Sequence, residues 1–352
     1  MPLPEAGQAL VRPRSGEGLH ALALTNGGVD ALTQKQKKKC IMNAEKFECA
    51  FDPQFNESHL WPIYMFRPVA FGITKRREKM KLLVLCAISL VLALHAGLAA
   101  SEEVEDASEF NYDPRSKSGP ARWGDIREEW RTCSNGSMQS PIDLTSENVQ
   151  VVAHLGRLNR SYEASNATLK NRGHDIMLRW EGVAGSIYVN GTQYLLKQCH
   201  WHSPSEHAVN GRRFDLELHM VHESPKGEAA VVGVMYKLGQ PDTFLSSLTK
   251  YIEWIAGTHE VQRAVGIVNP NRIKIGCKYY RYEGSLTVPP CTENVTWTVV
   301  QEVRTVSREQ VKLLREAVRD DSEFNARPLQ PTNRRPVQLF SPTDSKLECE
   351  NP

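Results

Sequence analysis

The sequence has no surplus of charge of either sign. Its 43 lysines and arginines stand against 41 aspartates and glutamates, a formal net charge of +2 over 352 residues. Phosphate binding needs a concentrated basic surface, so this balance speaks against a dedicated nucleic-acid binder. No internal repeat is present. No HExxH pair occurs either, which removes the helix-borne zinc site of many peptidases. Long apolar runs are scarce: the one candidate is LLVLCAISLVLALHAGLAA, residues 82–100.

That run follows Lys75, Arg76, Arg77, Lys79 and Lys81 and precedes Ser101, Glu102 and Glu103. A basic flank, an apolar middle and a small-residue exit describe a secretory signal peptide, expected over residues 80–100 with cleavage after Ala99 or Ala100. The run also approaches the about 20 residues that span a bilayer, so a signal anchor is the competing reading. The small residues Ala96, Gly97, Ala99 and Ala100 favour cleavage, and membrane attachment is expected only if the segment stays uncleaved. The expected route is secretory, with the extracellular space or apoplast as destination and vacuole or plastid left open. Residues 1–79 lack sustained periodicity and carry the basic run Lys35, Lys37, Lys38 and Lys39. They are expected to be an unstructured extension, with Met80 as the natural start. Residues 101–118 read as an acidic leader, 119–342 as the folded domain and 343–352 as a tail.

Eight cysteines are present: Cys40, Cys49, Cys86, Cys133, Cys199, Cys277, Cys291 and Cys349. A secreted chain favours a disulfide among those that outlast the signal, but spacing does not give connectivity. Glycosylation sequons begin at Asn135, Asn159, Asn166, Asn190 and Asn294.

From Trp123 onward, short apolar alternations are broken by Gly, Pro and Asn. Residues 176–180, 185–190 and 229–236 predict strands. Helical spacing predicts one helix over 243–255. A second, over 307–318, opens with the capping box Ser307-x-x-Gln310 and carries Val311, Leu314 and Val318 on one face. The fold class is mainly β (α+β): a single domain around a large twisted, mostly antiparallel sheet with a few short peripheral helices.

Gln198-Cys-His-Trp-His202 lies in a predicted strand, so Gln198, His200 and His202 share a face and Cys199 faces away as a small core residue. In Phe214-Asp-Leu-Glu-Leu-His-Met-Val-His222, residues Glu217, His219 and Val221 share another. A neighbouring strand brings His219 to the point where His200 and His202 meet. Three neutral imidazoles with an open fourth position suit a catalytic zinc ion. A ligating imidazole needs an acceptor for its second nitrogen, and Gln198 and Glu217 are placed for that. His200-x-His202-x-x-x-Glu206 also fits half of a cupin ligand set. The glycines that set expects are replaced by Tyr194 and Arg213, however, and no second half follows.

The remaining motifs are Gln139-Ser-Pro-Ile-Asp143, Asn171-Arg-Gly-His174, Ser205-Glu-His207, Gly284-Ser-Leu-Thr-Val-Pro-Pro290, Val295-Thr-Trp297 and Asn325-Ala-Arg-Pro328. In this order and spacing the chain resembles the alpha carbonic anhydrases from Trp123 through Val337, and its wording is most similar to their plant secreted branch. The family is itself the reference case for a three-histidine zinc centre. The resemblance implies reversible hydration of carbon dioxide to bicarbonate by zinc-bound hydroxide, with Zn2+ on His200, His202 and His219. It implies that Gln198, Glu217 and the main chain at Asn325 accept from those rings. Thr287 is implied as a gatekeeper hydroxyl donating to Glu206, and His174 as the proton shuttle. Val221, Val231, Leu286, Val295 and Trp297 are implied as the apolar wall for carbon dioxide. Val288 stands beside it where many members carry a polar residue. Cys133 and Cys291 match the family's disulfide. His207 and His222 match no metal role and are read as structural. A storage or binding protein on the same fold, with little activity, is the alternative.

Overall fold

The structure is a computed structural model and describes residues 41–43, 46–48, 103, 109–258 and 261–342. The expected signal peptide, the tail and most of the N-terminal extension lie outside the described residues. The chain divides into two units, Met1–Phe71 and Gly72–Pro352. In the first, the described residues form one antiparallel pair, β1 (Ile41–Asn43) with β2 (Lys46–Glu48).

The second unit is built on strands, as the alternating runs predict. In chain order they are β3 (Asp143–Leu144), β4 (Val149–Val151), β5 (Asn159–Tyr162), β6 (Ser165–Asn171), β7 (Ile176–Trp180), β8 (Gly185–Val189), β9 (Thr192–His202), β10 (Ala208–Val209), β11 (Arg212–Arg213), β12 (Leu216–Glu223), β13 (Ala229–Leu238), β14 (Gln262–Val268), β15 (Tyr279–Ser285), β16 (Glu293–Val300), β17 (Arg304–Val306) and β18 (Val337–Phe340). A 13-stranded sheet runs in the order β14-β6-β7-β9-β12-β13-β16-β15-β18-β4, with β5, β8 and β17 attached beside it. Most neighbours are antiparallel; β13 with β16, β13 with β17, and β18 with β4 are parallel.

Strand β12 is buried on both faces except at its end, and its two faces meet different surroundings. Leu216, Leu218 and Met220 join a core with Trp201 of β9 and Val232 of β13. Two amphipathic helices close this side. Helix α3 (Thr243–Ile255), capped by the Asp242 carboxylate, buries Phe244, Leu245, Leu248, Ile252 and Ile255. Helix α4 (Arg308–Ala317) starts with the predicted capping box between Ser307 and Gln310. Gln310 Nε2 also donates to the carbonyl of Asp242 at 2.8 Å, which ties the two helix starts together. Two single turns, α1 (Trp123–Ile126) and α2 (Thr132–Asn135), precede the sheet. No helix among the described residues is long and apolar enough to cross a membrane.

The other face of β12 carries Glu217, His219 and Val221. In register, His219 stands opposite His200 of β9, Glu217 opposite His202, and Val221 opposite Gln198. The ladder then skips Lys197, and His222 pairs with Leu196. This bulge reverses the phase of β9. Leu196 before it and Cys199 after it, an even and an odd position, both point into the helix-covered core.

Candidate metal centre

Strand register assembles the cluster. Opposed residues on antiparallel strands have Cβ atoms about 5 Å apart, and His200, His202 and His219 bring one ring nitrogen each to within 4.8 Å of one another. All three rings are buried. Each has its other nitrogen committed to an acceptor. His200 Nδ1 donates to Gln198 Oε1 at 2.9 Å, His202 Nδ1 to the carbonyl of Asn325 at 2.7 Å, and His219 Nε2 to Glu217 Oε1 at 3.0 Å. Carbonyl and carboxylate oxygens only accept, so these bonds fix the tautomers. They leave lone pairs on His200 Nε2, His202 Nε2 and His219 Nδ1. Burial holds His200 well below its ordinary pKa, which keeps the ring neutral, the form a metal needs.

A divalent ion fits this donor set. The buried His202 Nε2 has no hydrogen-bond partner among the described residues, and three imidazoles with no thiolate suit zinc. His207, Glu217 and His219 also lie close together. There, however, both nitrogens of His207 are spent on hydrogen bonds, to Glu217 Oε1 and to the Tyr282 hydroxyl, each at 2.7 Å.

Glu217 is the hub. Its Oε1 accepts from His207 and His219, and its Oε2 accepts from the main-chain N–H groups of Glu206 and His207, both at 2.9 Å. Burial alone would raise its pKa, but His207, His219 and their hydrogen bonds hold it well below the usual carboxylate range. Gly233 on β13 faces His219, and a Cβ there would come within 2.9 Å of Glu217 Oε1. Bare backbone at that position makes room for the carboxylate.

Glu206 is fully buried. Its Oε1 accepts from the main-chain N–H of Arg327 at 2.8 Å. Its Oε2 lies 3.6 Å from His202 Nε2 and has no hydrogen-bond partner among the described residues. Thr287 is buried, but the expected hydrogen bond to Glu206 is not formed among the described residues. The apolar residues divide. Val221, Val231, Leu286, Val295 and Trp297 pack in one cluster. Val288 packs in another with Phe110, Tyr112, Trp123, Trp130 and the Cys133–Cys291 pair. Those two cysteines form a disulfide with Cα atoms 5.0 Å apart, and Cys277 is disulfide-bonded as well. Cys199 is a free thiol buried in the core.

His174, expected as the proton shuttle, does not face solvent. It is buried beneath Phe110, with ring centroids 5.2 Å apart. Neither ring nitrogen has a hydrogen-bond partner among the described residues. Burial brings its pKa down to about 4 despite the opposing charge of Asp175.

Three groups went unread in the sequence. Arg327 is buried; its Nη1 donates to Gln139 Oε1 and to the Ser140 carbonyl, both at 2.8 Å, and its Nη2 to the Cys133 carbonyl at 2.9 Å. Arg172 holds Asp175 through two bonds of 2.8 and 2.5 Å. Glu103, from the acidic leader, reaches the site. Its Oε2 accepts from Arg172 Nη1 at 2.9 Å and from Gln198 Nε2 at 3.1 Å, while Oε1 lies 3.6 Å from His200 Nε2. Arg172 and Arg327 stand within the motifs Asn171-Arg-Gly-His174 and Asn325-Ala-Arg-Pro328, but neither was read for a role, and nothing in the sequence pointed to Glu103.

The model of the eukaryotic-type carbonic anhydrase family matches residues 118–341. Alpha carbonic anhydrase 7 of Arabidopsis thaliana is 58% identical over 259 residues, 73% of this chain and 94% of that protein. A crystal structure of dioscorin complexed with ascorbate is 46% identical, spans 68% of this chain and 100% of its own, and superposes with a TM-score of 0.66. The alpha-carbonic anhydrase of Thermovibrio ammonificans, solved with the inhibitor sulfanilamide, is 36% identical over 65% of this chain and 98% of its own, at a TM-score of 0.60.

Proposed function

The chain belongs to the alpha carbonic anhydrase family, and on that premise we propose that it is a zinc enzyme interconverting carbon dioxide and bicarbonate. The carrying observation is the set of three buried imidazoles, each with one nitrogen tied to an acceptor and the other turned to a shared point. His200, His202 and His219 would hold the ion. When bound, zinc supplies a Lewis acid that makes water nucleophilic near neutral pH, and carbonic anhydrase is the reference case for that effect.

The protein's own groups do the rest. Carbon dioxide is uncharged and needs an apolar wall rather than a polar clamp, which Val221, Val231, Leu286, Val295 and Trp297 supply. Arg327 fixes one oxygen of Glu206. The other oxygen has no partner among the described residues; the Thr287 hydroxyl would donate to it and so orient the attacking oxygen. His174 relays the released proton in a state where its ring reaches water, because an imidazole with a pKa near 4 exchanges poorly at neutral pH.

The similarity to dioscorin favours a second reading, a storage or binding role on the same fold. Stopped-flow carbon dioxide hydration, run with zinc stoichiometry before and after chelation, separates the two. Fast hydration with one zinc, lost on chelation and restored by zinc, is the expected result. A folded chain with neither zinc nor activity would overturn the enzyme reading. His200→Ala is expected to lose the metal.

A further inference from the structure

Glu103 lies in the acidic leader, 95 residues before Gln198 in the sequence, yet its side chain is 6% exposed and that of its partner Arg172 is 1% exposed. We propose that Arg172 and Gln198 form a carboxylate-binding subsite at the edge of the metal centre, with Glu103 as its built-in occupant.

Two independent constraints shape the subsite. Gln198 spends its carbonyl oxygen on His200 Nδ1. Its amide N–H groups must therefore point away from that ring, toward the Glu103 carboxylate. Arg172 is fixed in a planar fork by Asp175, which takes Nε and Nη2, so Nη1 is aimed at the same carboxylate oxygen. Two oriented donors from separate segments converge on Oε2, and Oε1 lies 3.6 Å from His200 Nε2. The ligand class is a small planar oxyanion with a carboxylate edge. Acetate belongs to it, and so does bicarbonate, the product of the reaction proposed above.

The affinity for a free anion is modest, because Asp175 already neutralises the Arg172 charge. A tethered carboxylate has the advantage here, since a short tether provides an effective concentration of the order of millimolar. Glu103 then competes with external oxyanions for the edge of the site. Only the consequence for turnover rests on the function proposed above; the binding itself needs no metal.

The test uses the metal-free full-length chain at pH 8, titrated with carbon-13 acetate and followed by NMR. Glu103→Ala is expected to bind acetate about tenfold more tightly than the parent chain, as removal of an internal competitor requires. Adding Arg172→Gln to that variant should abolish the gain. Gln198→Met, which keeps the side-chain length without an N–H donor, should reduce it and stands in if the Arg172 variant does not fold. Equal acetate affinity in Glu103→Ala and the parent would overturn the subsite. Because no zinc is present, that outcome is distinct from any failure of zinc binding or hydration.

Discussion

Glu217 Oε1 accepts from His219 Nε2 at 3.0 Å, so the lone pair on His219 Nδ1 is what that ring offers to the shared centre. Glu217→Gln keeps the shape but replaces an acceptor that four donors share. Zinc affinity is expected to fall about 10- to 100-fold, the usual cost of losing a group that orients a metal ligand. Competition with a chromophoric chelator measures it. Unchanged affinity would remove Glu217 from the support of the site.

Thr287→Ala should keep its zinc and lose turnover by about 100-fold or more, in the range of a positioned hydrogen-bonding group. Zinc stoichiometry alongside hydration kinetics separates the two effects. Loss of the metal would mean that Thr287 shapes the site rather than the chemistry.

For His174→Ala, the expected signature is conditional. Turnover falls in dilute buffer and recovers when a small imidazole buffer is added, because an external base replaces the missing relay. An unchanged rate in dilute buffer would refute the relay.

His222 predicts an acid limit on stability. Its Nδ1 donates to the Ala230 carbonyl at 3.2 Å, and its Nε2 lies 3.0 Å from the Tyr162 hydroxyl. That arrangement suits a neutral ring, and burial lowers its pKa from 6.5 to about 4. Between those values the unfolded chain binds a proton here that the folded chain does not. The stabilisation is therefore complete above pH 6.5 and is lost as the pH falls toward 4, by up to about 3 kcal/mol. Urea titrations across this window should show a shallower pH dependence for His222→Gln. An identical slope would assign the acid sensitivity elsewhere.

Cys133→Ser opens a cross-link between residues 158 positions apart. The expected cost is about 2–5 kcal/mol, at the upper end for so long a loop. Denaturant melts of oxidised parent and variant measure it, and equal midpoints would contradict it.

The three-histidine cluster was legible because a strand has period two: His200 and His202 had to share a face, and Glu217 and His219 likewise. Both amphipathic helices were legible from their spacing, the second also from its capping box, whereas the Asp242 cap of the first was not read. The resemblance, not the spacing, supplied Cys133 with Cys291. Side-chain bonds between distant segments were not legible. Arg327 stands in the motif Asn325-Ala-Arg-Pro328, yet nothing in that motif shows that Cys133, Gln139, Ser140 and Glu206 will surround it. The neutral burial of His174 was likewise hidden, because nothing in Asn171-Arg-Gly-His174 shows that Phe110 will lie over it. The bulge at Lys197 shows where alternation fails. A reading that ran the phase of β9 back from His200 would place Leu196 on the wrong face.

The bonds of Arg327 join positions up to 194 residues apart in the sequence, and they reach back to the first loops of the domain. Such contacts form late, since chain closure over long separations is costly before it is rewarded. During synthesis the three imidazoles can meet on their hairpin-like strands well before residues 325–327 leave the ribosome, but the acceptor for His202 Nδ1 and the main-chain donor to Glu206 arrive only with that segment. The last ring is oriented and Glu206 is fixed by the same short stretch, so a chain cut short of Asn325 would gather the three rings without holding them.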